Sequence, residues 1–260
     1  MIFPHDIVGE IKIIAVYPTA NMHFFLQWEV TDAYISSGPF NFKIYRSGSP
    51  EGPWELIKDN AGAVYSYEDV KPEVQGMNTD VWYKVTSGAL SSVPRSVLHE
   101  MPKRQYLIWR KMVRDEDVML RKGNGRLLAI AKRKHWGVRC TECWDSRSGK
   151  IIKKLCLSCF GTAFEGGYFS PIDLWGTIKP GTPGTDFSTE SSVPEVETCT
   201  MMVQYYPVVR RGDIIIEKEV NRRWEITVEQ STELLRNPVH QDITISRLPI
   251  NHMIYSLVIP

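Results

Sequence analysis

Residues 41–57 read Asn41-Phe42-Lys43-Ile44-Tyr45-Arg46-Ser47-Gly48-Ser49-Pro50-Glu51-Gly52-Pro53-Trp54-Glu55-Leu56-Ile57. The first six alternate, with Phe42 and Ile44 opposite Lys43 and Tyr45, which is the period of a half-buried strand. Ser47 to Pro53 contains two glycines and two prolines, residues that stop a ladder and favour a turn. Trp54-Glu55-Leu56-Ile57 then returns to strand-forming residues. Strand, turn and strand in one short stretch predict antiparallel β-structure.

The same texture runs outward from about Ile11 to Leu98. His23 to Trp28 places Phe24, Leu26 and Trp28 on one face. Tyr65-Ser66-Tyr67, Val81 to Thr86 and Ser91 to Val97 supply further short strands. Seven strands in about 90 residues predict an antiparallel sandwich over residues 1–100. Leu26-Gln27-Trp28, Phe42 to Ser47, Gly52-Pro53-Trp54, Tyr65 to Asp69 and Trp82-Tyr83-Lys84-Val85 together resemble a fibronectin type III domain. In that family the first Trp packs at the centre of the core and a Tyr before the last strands makes a corner hydrogen bond. Trp28 and either Tyr83 or Trp82 hold the matching positions. The resemblance implies a spacer or adhesive module and brings no catalytic residues.

From Lys103 to Lys122 the period changes. Tyr106, Trp109, Met112 or Val113, Glu116 and Leu120 recur at steps of three and four, the spacing of an amphipathic helix. Pro102 suits its first turn and Gly123-Asn124-Gly125 its end. Its other face is basic, with Lys103, Arg104, Arg110, Lys111, Arg114 and Arg121. Arg126 to Trp136 is expected as an extended link. Residues 101–135 thus form a basic helix and linker.

Cys140 and Cys143 make one C-x-x-C and Cys156 and Cys159 another, twelve residues apart. Two close pairs of thiolates reach the corners of a tetrahedron around Zn(II), and a closed four-cysteine shell holds a fold together without catalysing. Residues 136–165 are therefore expected as a structural zinc ribbon. Gly149 suits its hairpin tip, Gly161 the turn after the second pair, and Trp144 and Phe160 the cover of the metal. Arg139, Arg147, Lys150, Lys153 and Lys154 offset the charge of the thiolates. His135 is expected to be a non-ligand and Cys199 a small buried side chain.

Residues 166–260 read as a small β-barrel. Gly166 to Trp175 opens it, Lys179 to Glu195 is a long polar loop, and Thr198–Val209, Asp213–Lys218, Arg223–Val228, Gln241–Arg247 and Met253–Ile259 are expected strands. Ser231 to Arg236 suits one helical turn. Arg211 to Ile216, Asn221 to Ile226 and Met253 to Val258 resemble tailed-phage head-completion and head-to-tail joining proteins. In those barrels a Gly-Asp turn introduces one strand, and a turn followed by basic and aromatic residues introduces the next. The fold class expected overall is mainly β: sandwich, connecting helix, zinc ribbon and barrel.

Of 260 residues, 43% are hydrophobic and 23% charged, which excludes a chain disordered throughout. No apolar run approaches the roughly 18 residues of a membrane span, and Met1 to Glu10 lacks the pattern of a secretory signal. The net charge of +1 is segregated: Lys103 to Lys154 holds 16 Lys and Arg against 5 Asp and Glu, a local +11 that leaves −10 for the rest. Such a block suits either nucleic acid or an acidic protein face, a second copy included. Arg211-Gly212-Asp213 is read as a turn rather than an adhesion motif, and Asp115-Glu116-Asp117 as a charged helix face. There is no G-x-S-x-G, phosphate-cradling glycine loop or H-E-x-x-H, so no enzyme is expected.

The resemblances imply a structural virion protein made in the host cytoplasm, at the neck or head-to-tail connector. The expected partners are copies of itself in a ring, portal, adaptor or tail neighbours, and packaged double-stranded DNA. The alternative is a zinc-ribbon nucleic-acid-binding protein. In it Arg110, Arg114, Arg133, Lys134 and Arg139 contact phosphates, and Trp136 or Trp144 stacks on a base.

Overall fold

The computed structural model describes residues 10–19, 23–70, 81–96, 103–153, 155–179, 198–234 and 237–257. The polar stretch from Gly181 to Glu195 lies outside them. The protein is mainly β, with one α-helix among the described residues. No helix among them is long and apolar enough to cross a membrane. Two compact units are present, one built on the N-terminal strands and one on a closed barrel, with residues 134–166 shared between them.

The N-terminal unit contains two antiparallel sheets. Strands β1 (Ile11–Pro18), β2 (Phe24–Val30) and β5 (Ser66–Asp69) form one, in the order β1-β2-β5. Strands β3 (Lys43–Ser47), β4 (Glu55–Lys58), β6 (Trp82–Ser87) and β7 (Leu90–Ser91) form the other, in the order β4-β3-β6-β7, with β8 (Arg95–Ser96) also on β6. The alternation that predicts these strands sets their register, so that Ile44 pairs with Val85 and both are buried. The sheets meet through apolar rings: Phe24 lies 6.0 Å from Tyr83, and Trp28 stands edge-on to Phe42 at 5.4 Å. The buried Tyr83 hydroxyl donates to Asp69 at 2.9 Å, and Arg46 reaches the same carboxylate at 3.1 Å. Burial, with Asp69 beside it, pushes the Tyr83 hydroxyl far above the ordinary tyrosine range.

Helix α1 (Lys103–Lys122) has the bounds its sequence predicts. Trp109, Val113 and Leu120 are its buried apolar residues, and Trp109 packs 6.3 Å from Tyr17. Asp117 corrects the expectation of a solvated acidic face. It is buried, with Arg121 donating to one oxygen at 2.7 Å and Gln204 to the other.

The barrel closes in the order β12-β13-β16-β15-β14-β9, so each strand of the ring has a neighbour on both sides. Its strands are β9 (Arg126–Ala131), β12 (Ile172–Lys179), β13 (Thr198–Gln204), β14 (Ile214–Glu217), β15 (Arg222–Leu234) and β16 (Asn237–Arg247). The stretch expected as an extended link is thus extended, and it is also a barrel stave. Leu128 sits opposite Leu174 on one side and Ile130 opposite Ile215 on the other. Leu128, Ile130, Leu174, Met201, Ile215, Trp224 and Ile245 fill the interior, with Cys199 among them as expected. Ala129 and Ala131 are buried on the outer face against Ile214, Ile216 and Ile254. Burial on both faces removes the polar alternation that marks an ordinary strand.

Two C-terminal expectations are corrected. Ser231–Leu234 is strand, because β16 continues the ladder to Leu234↔Asn237. Met253–Ser256 is a 3-10 turn, held by the Arg223 guanidinium, which donates to the carbonyls of Ile254 and Leu257. Arg211-Gly212-Asp213 is a turn before β14, as expected. Asp213 is fully buried, accepting from Lys132 Nζ at 2.5 Å and from the backbone N–H groups of Arg133 and Arg210 at 2.9 and 2.7 Å.

Candidate metal centre

The four predicted cysteines come together. The Sγ atoms of Cys140, Cys143, Cys156 and Cys159 all lie within 4.8 Å of one another, and each residue is at most 2% exposed. None is in a disulfide. Four sulfurs around a tetrahedral ion with bonds of about 2.3 Å stand about 3.8 Å apart, so this cluster can hold a metal ion after a slight contraction.

Local backbone bonding builds each half. Cys140 N–H donates to Ala163 O at 3.0 Å, and Trp144 N–H returns to Cys140 O at 3.1 Å. Between the pairs, β10 (Trp144–Asp145) and β11 (Lys150–Ile151) form a two-stranded ladder. Its turn is shaped by Asp145, whose carboxylate accepts from Arg147 N–H at 3.0 Å and Ser148 N–H at 3.3 Å. A hydrogen bond from the Ser148 side chain, with the N–H groups of Arg147 and Ser148, holds the Asp145 carboxyl below the usual carboxylate range. Gly149 takes φ +64° at the tip, where the sequence places it. After the second pair Gly167 takes φ +63°, and a Cβ there would stand 2.5 Å from Cys159 O, so only glycine fits.

The basic residues singled out in the sequence have unequal settings. Arg139 lies against two rings, 4.0 Å from Trp144 and 4.2 Å from Phe164, and donates to Ser36 Oγ at 3.0 Å. Burial lowers its guanidinium from the ordinary value. Lys134 donates to Glu165 O at 2.6 Å, and desolvation lowers its ammonium. Arg133 is half-buried, its backbone tied to Asp213. Arg110 is half-buried on α1, while Arg114 is exposed. Trp136 is buried edge-on to Phe40 and Phe42, at 5.2 and 5.4 Å. That placement removes it as a platform for a nucleic-acid base. Trp144 is half-buried under Arg139, and Phe160 packs 6.2 Å from Tyr168.

Sequence reasoning missed the apolar surface beside the cluster. Ile152, Leu155 and Leu157 are 72%, 75% and 67% exposed. Their signal is Ile151-Ile152 and Leu155-Cys156-Leu157, where apolar residues flank cysteines that are themselves buried. No protein-family model matches the chain, and no curated protein matches it in sequence.

Proposed function

We propose that the protein is a structural component of a tailed-phage particle, a neck or head-to-tail connector ring protein stiffened by Zn(II). The observation that carries this reading is the closed six-stranded barrel with an interior packed by apolar side chains. It is formed by the stretch whose turns resemble head-completion proteins, and a filled barrel suits a building block rather than a vessel for substrate. In this reading the two N-terminal sheets are a fibronectin type III-like sandwich, an assignment supported by the β1-β2-β5 and β4-β3-β6-β7 orders and by buried Trp28 and Tyr83. The four-cysteine segment is a zinc ribbon. Thiolate-only coordination suits Zn(II), and a shell of four protein ligands serves folding, not catalysis.

Electron microscopy of the purified protein tests the reading. Closed rings, alone or on the portal they cap, support it, and a dispersed monomer in both conditions opposes it.

The second reading is a nucleic-acid module. Arg104, Lys111, Arg114 and Lys122 are exposed on α1 and favour it. It requires binding to random duplex DNA that weakens steeply with salt. Salt-insensitive or absent binding removes it.

A further inference from the structure

The exposed apolar side chains next to the cysteine cluster fall in one short run of sequence, Lys150-Ile151-Ile152-Lys153 and Leu155-Cys156-Leu157. Their backbone is fixed. Ile151 pairs with Trp144 in the β10–β11 ladder, and Ile152 N–H donates to Cys143 O at 2.8 Å. Cys156, between the two leucines, is fully buried. The cysteines take the interior of the segment, and Ile152, Leu155 and Leu157 are left in solvent. Apolar side chains that the fold holds out together mark a binding surface.

The surrounding charge selects the occupant. Lys150 and Lys153 are exposed beside the isoleucines, and Arg147 is exposed on the preceding turn. Two acids lie between Cys140 and Cys159. Asp145 is tied to the hairpin turn, and Glu142 is exposed. The exposed charge of the segment is therefore positive. Cores of protein–protein interfaces concentrate Tyr, Trp, Phe and Arg and are poor in Lys. This run is the reverse, aliphatic side chains interleaved with lysines. That composition suits the boundary of an anionic bilayer, where acyl chains take the aliphatic tips and lysine stems reach the phosphates.

We infer that residues 150–153 and 155–157 dock on an anionic phospholipid surface, with Ile152, Leu155 and Leu157 entering the acyl boundary and Lys150 and Lys153 meeting headgroup phosphates. The contact is peripheral, and no helix among the described residues is long and apolar enough to cross a membrane. It goes beyond the ring reading and requires neither a ring nor a protein partner.

Vesicle sedimentation of the full chain tests it, with phosphatidylcholine alone and with phosphatidylcholine mixed with phosphatidylglycerol. The native chain pellets with the mixed vesicles, less with phosphatidylcholine alone and less as salt rises. Ile152→Ser/Leu155→Ser/Leu157→Ser and Lys150→Gln/Lys153→Gln each weaken binding at least about tenfold. Ile152→Leu/Leu155→Met/Leu157→Met keeps it, which separates lost apolar contact from lost fold. A native chain that ignores the mixed vesicles overturns the inference. Binding unchanged in the serine variant reduces the contact to charge attraction and also overturns it. Self-association of the native chain without lipid, abolished in the serine variant, makes a second copy the occupant and overturns it as well. None of these three results bears on whether the barrel forms a ring on a portal.

Discussion

The guanidinium of Arg139 lies 4.0 Å from the ring centroid of Trp144, one residue beyond Cys143 of the four-cysteine cluster. With Phe164 on its other contact at 4.2 Å, Arg139 is engaged in the fold of the cysteine segment. A part-buried cation over aromatic faces contributes about 0.5–1 kcal/mol. Arg139→Ala is therefore expected to release metal at lower chelator concentration and to lower the thermal midpoint. Chelator titration followed by a zinc-sensitive dye checks this. Unchanged metal retention with weakened DNA binding would instead assign Arg139 to nucleic acid.

Cys140→Ser and Cys156→Ser each remove one of the four buried cysteines that can hold a metal ion. Metal binding to such a segment is folding free energy. Each variant is expected to lose its metal and to unfold locally over about 136–165, while the N-terminal sheets and the barrel stay protected. Elemental analysis with amide exchange measures both effects. Stoichiometric metal retained in both variants would defeat the four-cysteine site.

Lys132 and Asp213 form a buried pair inside the barrel unit. Removing one partner leaves an uncompensated charge, which costs about 3–5 kcal/mol. Lys132→Met is expected to destabilise the barrel by that amount in denaturant unfolding. Lys132→Met combined with Asp213→Asn recovers part of the loss, since an uncharged amide is cheaper to bury.

Tyr83 and Tyr168 are both pushed upward by burial, Tyr168 to about 12. A phenol with a higher pKa folded than unfolded stabilises fully below the unfolded value of about 10. Its contribution falls as pH rises above that value. Stability is therefore expected to be flat from neutral pH to about 10 and to drop beyond it. Tyrosinate absorbance should show the exposed phenols titrating first and these two ionising only with unfolding. Tyr83→Phe loses the bond to Asp69 and part of the alkaline drop.

The elements legible in the sequence are those decided by local chemistry. Phe42 and Ile44 marked β3, the breakers of Gly123-Asn124-Gly125 ended α1, and cysteine spacing marked the metal cluster. The elements that escaped were decided by distant partners. Ser231–Leu234 has no strand alternation of its own and takes its form from His240 and Asn237 across the ladder. Met253–Ser256 alternates like a strand but is folded into a turn by Arg223, 30 residues away in the sequence at Met253. Ala129 and Ala131 stand where a polar face is expected because Tyr168, Leu248 and Ile254 bury the outer side of β9 as well. Asp117 looked like one of three surface acids until Gln204 and Arg121 enclosed it.

Native mass spectrometry of the purified protein tests the central claim most directly, because one spectrum gives both copy number and metal per chain. The account predicts a closed oligomer carrying one zinc ion per chain, with the same mass whether or not duplex DNA is added. A metal-free chain, or a zinc-bearing monomer that gains mass only on DNA, would contradict it.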